Sequence, residues 1–195
     1  MKKIDYRKAQ FLKTAMEVKE LPKANLPEIA IVGRSNVGKS TLLNHLFQNR
    51  SLVKTSQKPG KTQGMNAFLV DEALSVIDLP GYGFAKVPEA VRTLWGPMMQ
   101  DYLESRESLK LILFLFDIRR LPNDDDHQLI EWLQFHQRSV IVVFTKVDKL
   151  LKGQEHTFGK RLLELMRMEG VPHVFYSAPK NVGRKELLLA VEQKI

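Results

Sequence analysis

Apolar residues along this chain fall into two alternating kinds of segment. Short runs such as Ile29-Ala30-Ile31-Val32 and Leu111 to Phe116 are apolar at consecutive positions, as in strands buried on both faces. Between them come stretches with apolar residues three and four apart, such as Leu42, Leu43, Leu46 and Phe47, the period of an amphipathic helix. The pattern predicts strands at 29–33, 66–70, 74–78, 110–117, 139–145 and 172–176. It predicts helices near 39–48, 124–136, 155–169 and 184–194, and another around Trp95. Alternation of this kind calls for an α/β fold: a mostly parallel six-stranded sheet with helices on both faces. The close pair at 66–70 and 74–78 makes one edge strand antiparallel. Residues 1–22 are ambiguous, because Ala9, Leu12, Ala15 and Met16 have helical spacing but run into the turn-rich stretch Leu21 to Pro27. They are left open as an N-terminal extension to one domain over residues 23–195.

Charge narrows the partners. Thirty Lys plus Arg stand against 22 Asp plus Glu, a net charge of +8 that favours an anionic partner, RNA first, over a basic protein with none. The absence of cysteine excludes disulfides and thiolate chemistry. The start, MKKIDYRKAQFLKT, lacks the apolar core of a signal peptide, and no apolar run is long enough to cross a membrane. A soluble cytoplasmic protein, monomeric and without a membrane partner, is expected.

Chemistry enters at residues 33–41, GRSNVGKST, directly after the apolar strand. Gly33, Gly38, Lys39 and Ser40 fit G-x-x-x-x-G-K-[ST], a loop whose backbone N–H groups surround a β-phosphate at a helix N-terminus. Arg34, Ser35, Asn36 and Val37 form the turn of that loop. Lys39 would bridge β and γ oxygens, Ser40 would ligate Mg²⁺, and Thr41 would lie near the α-phosphate. After the strand Leu74 to Ile77 comes Asp78-Leu79-Pro80-Gly81, a D-x-x-G in which the acid holds the Mg²⁺ site and the glycine N–H meets the γ-phosphate. Between them the polar segment 50–64 has no helix or strand period and is expected to be a switch. In it Thr62, within Gly60-Lys61-Thr62, reaches Mg²⁺ and the γ-phosphate, with Thr55 as the other candidate.

The base is read from the strand ending in Thr145-Lys146-Val147-Asp148. An aspartate there accepts two charge-assisted hydrogen bonds from guanine N1–H and N2–H₂, which adenine does not offer. Lys146 would lay its stem along the base. In Tyr176-Ser177-Ala178 the Ala178 N–H would meet the guanine carbonyl oxygen, and Ser177 would support the loop.

The strings GRSNVGKS, TSQKPGKTQ, DLPGYGFAKVP, TKVD and YSA, in this order, resemble the EngB (YihA/YsxC) ribosome-biogenesis GTPases of the TRAFAC class, over about residues 10–195. The resemblance implies a Ras-like G domain, GTP or GDP with Mg²⁺ as ligands, and a role in maturation of the large ribosomal subunit and its RNA. Thr145 stands where many GTPases carry Asn. EngB-like proteins share it, and the amide's hydrogen bond to the phosphate loop is expected to be lost. Tyr82 stands where Ras-like enzymes orient water with glutamine, so unaided turnover is expected to be slow, on the order of 10⁻³ s⁻¹. Lys39, Thr62 and Gly81 are left as transition-state stabilisers, with the catalytic residue itself unassigned. Asn36 either binds K⁺ beside the phosphates or serves the turn.

Arg50, Lys54, Lys58, Lys61 and Lys86, with Tyr82 and Phe84, suit contacts to RNA. The alternative is a solvated loop whose aromatics fold back on the Trp95 helix. Asp124-Asp125-Asp126 is read as a helix cap, and the five scattered histidines as structural. Rival readings are a P-loop kinase, against which TKVD argues, and a cell-division or envelope regulator with a protein partner.

Overall fold

The structure is a computed structural model that describes residues 4–53, 64–83 and 89–195, with 89–96 described in the backbone alone. The strands are β1 (Ala9–Ala15), β2 (Glu28–Gly33), β3 (Met65–Val70), β4 (Leu74–Asp78), β5 (Leu109–Asp117), β6 (Val140–Thr145) and β7 (His173–Tyr176). The helices are α1 (Lys39–Phe47), α2 (Glu89–Ser105), α3 (Asp124–Phe135), α4 (Glu155–Leu165) and α5 (Arg184–Glu192).

The strands form one sheet in the order β1-β3-β4-β2-β5-β6-β7. β4, β2, β5, β6 and β7 run parallel, and β3 runs against both β4 and β1. The Ras-like α/β architecture stands as expected, with two corrections. The sheet has seven strands rather than six, because Ala9–Ala15 adds an edge strand, and the antiparallel strand β3 lies one place inside that edge. Only the two ends of β1 are buried and its middle is exposed, so neither strand alternation nor a core face marks it in the sequence. α4 also stops at Leu165, before the expected 169, where Arg167 turns left-handed (φ 53°).

Continuous apolar strands follow from burial on both faces. On one face Ile29, Ile31, Leu113, Leu115 and Val143 pack against Leu42, Leu43 and Leu46 of α1 and Leu187 and Val191 of α5. On the other, Ala30, Val32, Phe114, Phe116 and Phe144 pack against Tyr102 of α2, Ile130 and Leu133 of α3, and Leu162 of α4. The strand order reverses at β2, between β4 and β5. In an open parallel sheet a ligand binds beyond the carboxyl ends of the strands at such a point. Gly33, Asp78, Asp117, Thr145 and Tyr176 are the last residues of β2, β4, β5, β6 and β7, so the motifs of GRSNVGKST, DLPG, TKVD and YSA open onto this one edge. No helix among the described residues is long and apolar enough to cross a membrane.

Candidate functional site

The chain leaves β2 at Gly33, makes a turn in which Val37 N–H donates to Arg34 O, and enters α1 at Lys39. Gly38 precedes the helix at φ 113°, a conformation that strains any residue with a Cβ, and it gives no side-chain cap to the helix start. Asn36 is also left-handed, at φ 64°, which favours its role in the turn. The amide end of α1 thus faces the sheet edge without a capping side chain, as an anion site requires.

Lys39 and Asp78 lie near enough beside this loop for their charges to act on each other. Burial pushes the Asp78 carboxyl up and the Lys39 ammonium down, and their opposite charges partly restrain both shifts. Asp78 is buried, and its Oδ1 has no hydrogen-bond partner among the described residues. A buried carboxylate oxygen so placed fits a site built to receive a cation or its bound water. Gly81 lies on the loop as well, since a carbon added to it would stand 3.0 Å from Lys39 Nζ. Ser40 is the second residue of α1.

The base end is tied to the phosphate loop by two side chains. Thr145 Oγ1 donates to Val37 O at 2.8 Å, and Lys146 Nζ donates to Asn36 O at 2.8 Å. The amide's bond to the loop is absent, and the Thr145 hydroxyl spans the gap in its place. Lys146 adopts a left-handed backbone (φ 62°), the kind of local strain that concentrates at ligand sites. Asp117, nearly fully buried, fixes the same ammonium at 3.0 Å and chelates Arg119 through two bonds of 2.9 and 2.8 Å. Burial alone would raise the Asp117 pKa, but the bonds from Arg119 and Lys146 outweigh it and hold the carboxyl at about 2.

Asp148 stands at the rim. Burial pushes its pKa up, but the Ser177 hydroxyl, donating to Oδ1 at 2.7 Å, and the Lys149 ammonium bring it below the ordinary range. One carboxylate oxygen is therefore oriented by the protein, and the carboxylate stays ionised to accept N–H donors. The Ser177 hydroxyl also accepts from Lys180 N–H at 3.3 Å, and Tyr176 OH meets His45 Nδ1 at 2.7 Å, joining the base loop to the end of α1.

A family model described as a 50S ribosome-binding GTPase matches residues 28–146. A protein of Protochlamydia amoebophila named probable GTP-binding protein EngB is 50% identical over 193 residues, covering 96% of this chain and 94% of that one. The chain belongs to the EngB family of GTP-binding proteins. A crystal structure of a probable GTP-binding protein EngB superimposes with a TM-score of 0.68 over 86% of this chain and 98% of its own, at 21% identity, a likeness of fold. A point variant of Aquifex aeolicus Era bound to GDP and AlF₄⁻ gives 0.68 at 26% identity over 86% of this chain and 56% of that one. As an EngB-family GTPase the chain binds guanine nucleotide and hydrolyses GTP.

Within this EngB chain the structure gathers Gly33 to Thr41, Asp78 to Gly81, Thr145 to Asp148 and Tyr176 to Ala178 at one sheet edge. Gly60, Lys61, Thr62 and Thr55 lie outside the described residues, as do Lys54, Lys58, Phe84 and Lys86. Three groups escaped the sequence reading. Asp117 ends β5 and Arg119 follows it without any motif, and only their position on the binding edge could have flagged them. Asp126 closes the expected cap with Asn123, and it also accepts the Tyr82 hydroxyl at 2.7 Å, a contact that a helix-start signal conceals.

Proposed function

We propose that this GTPase is a nucleotide-dependent switch that assists assembly of the large ribosomal subunit, docking in its triphosphate state on a particle rich in ribosomal RNA. The family description as 50S ribosome-binding carries this reading, and the net charge of +8 supports an RNA-rich partner. Mg²⁺ fits the buried Asp78 oxygen and the Ser40 hydroxyl, with Thr62 as the third ligand. Bound there it would neutralise charge on the β and γ oxygens.

The protein's own groups divide the remaining work. Loop amides and Lys39 orient the phosphates, Asp148 selects guanine, and Thr145 and Lys146 hold the two ends of the site in register. Tyr82 contributes no general base, because its hydroxyl is donated to Asp126 and burial and that carboxylate push its pKa far up. Slow unaided turnover follows, with acceleration supplied by the docked particle. A monovalent cation beside the exposed Asn36 is a second source of acceleration, and turnover several-fold faster in K⁺ than in Na⁺ would support it.

The test is sedimentation with ribosomal subunits in the presence of GDP or a non-hydrolysable GTP analogue, at low and moderate salt. Co-migration with the large subunit in the analogue state, weakening steeply with salt, is expected. Equal binding in both states, or none, would refute the switch, and salt-independent capture would favour a protein partner.

A further inference from the structure

The Tyr82 hydroxyl and the Asp126 carboxylate meet at 2.7 Å although 44 residues separate them, and no step of nucleotide binding described above uses that bond. Asp126 is fully buried at the start of α3. Its Oδ2 accepts from Asn123 N–H at 3.0 Å and lies 3.7 Å from Arg34 Nη1, and Arg34 is the second residue of the phosphate loop. The backbones repeat the connection: Arg34 and Tyr82 pair as in a parallel sheet, and Ser35 N–H donates to Tyr82 O at 2.9 Å. Phosphate loop, D-x-x-G segment and α3 are thus joined through one carboxylate.

The consequence is spatial. With Tyr82 so held, a carbon added to Gly81 would lie 3.0 Å from Lys39 Nζ and 3.0 Å from the Ser35 Cα. A γ-phosphate that takes a hydrogen bond from Gly81 N–H and another from Lys39 would bind beside these groups. Gly81 lies close against Ser35, and a γ-phosphate drawing the Gly81 N–H toward itself would pull against the Ser35 to Tyr82 bond and the Tyr82 to Asp126 bond. A diphosphate has no γ-group to engage the Gly81 N–H and would leave both in place. The arrangement is also under opposing stress, because Arg34 Nε is buried beside Gly83 with no hydrogen-bond partner among the described residues.

We propose that Asp126 is a positioning residue which, through the Tyr82 hydroxyl, sets the discrimination of this site between guanosine diphosphate and triphosphate. The proposal rests on the guanine-nucleotide assignment of the site. A ligand shifts a conformational equilibrium only by its differential affinity for the two states. The Tyr82 bond therefore lowers the apparent affinity for triphosphate by the fraction of molecules in which Gly81 has withdrawn, and leaves diphosphate affinity alone.

The test is calorimetric titration of the wild type, Tyr82→Phe and Asp126→Asn with GDP and with a non-hydrolysable GTP analogue at fixed Mg²⁺, alongside each protein's Tm. Tyr82→Phe removes one oxygen, and should tighten the analogue about tenfold, the scale of a hydrogen bond to a charged group, with GDP unchanged. Asp126→Asn, which keeps a weaker acceptor, should shift the same ratio less. A purely structural role would lower Tm or weaken both ligands together without changing their ratio. An unchanged ratio in Tyr82→Phe, or an analogue weakened relative to GDP, overturns the proposal. Should Asp126→Asn fail to fold, Tyr82→Phe decides alone. Wild-type affinity for GDP, read in the same series, tests the nucleotide assignment separately, and its absence would sink that assignment and this proposal with it.

Discussion

Replacing Thr145 by valine tests how the two halves of the site are held together. Valine nearly reproduces the volume of threonine, so packing around this almost fully buried residue changes little. What is lost is one hydroxyl, whose proton goes to Val37 O at 2.8 Å rather than Phe116 O at 3.3 Å. Removing it deletes a net contribution of about 1 kcal/mol and leaves the Val37 carbonyl, in a buried residue, without that donor. Together these come to about 2 kcal/mol. For a chain of 195 residues that lowers Tm by roughly 4–8 °C. The assay is denaturant and thermal unfolding of nucleotide-free protein, with Thr145→Ser as the paired variant. Serine keeps the hydroxyl and loses only a methyl group, so it should be the more stable of the two. If Thr145→Val unfolds like the wild type to within about 0.5 kcal/mol, or Thr145→Ser is the weaker variant, the bond to the loop does not hold the site and packing does.

Three other outcomes follow from the same geometry. Asp117→Asn should destabilise the protein by about 2 kcal/mol at neutral pH, because its carboxyl is held at about 2 against an ordinary 3.8; this stability is complete above about pH 4 and is lost as pH falls toward 2. The gap between wild type and variant in urea titrations should therefore close across that range, and a gap constant from pH 6 to 2.5 would contradict the assignment. Asp148→Asn should weaken GDP by roughly 10³-fold and favour xanthosine diphosphate, whose C2 carbonyl accepts from the new amide; undiminished GDP affinity in competition binding would mean that Asp148 does not select the base. Arg106→Leu should cost about 3–5 kcal/mol in equilibrium unfolding, since Glu28 is fully buried and pairs with Arg106 at 3.0 Å, and a loss under 1 kcal/mol would mean that Tyr102 OH, at 2.7 Å, suffices for it.

The phosphate loop, the D-x-x-G and the TKVD string were legible as patterns because each is a local string with fixed neighbours, such as Gly38 with its φ of 113° before Lys39 and Ser40. The central strands were legible because burial on both faces writes a continuous apolar run. β1 was not, since Phe11 and Leu12 are exposed and its stability comes from backbone pairing with β3, which leaves no mark on side-chain spacing. The bond from Thr145 was missed for a different reason. Asparagine and threonine differ as isolated side chains, but the bond to Val37 crosses 108 positions, and only the approach of β6 to the loop decides which of them reaches. Asp126 was read correctly as a cap and incompletely as a residue, because one oxygen serves the helix and the other the Tyr82 hydroxyl.

The place of β2 in the sheet also orders the birth of the protein on its own ribosome. β2 emerges early, yet one flank must wait for β4 and the other for β5, where Ile29 pairs with Val76 and with Leu111. Until Asp117 has left the exit tunnel, a strand of consecutive apolar residues stands with an unpaired edge, and such non-local pairing is slow and exposed to misassociation. The loop that receives phosphate hangs from that strand, and its ties to Thr145 and Lys146 come later still. Nucleotide in the cell thus meets a finished site only when most of the chain has been made, and by binding the folded state alone it draws the last steps of folding to completion.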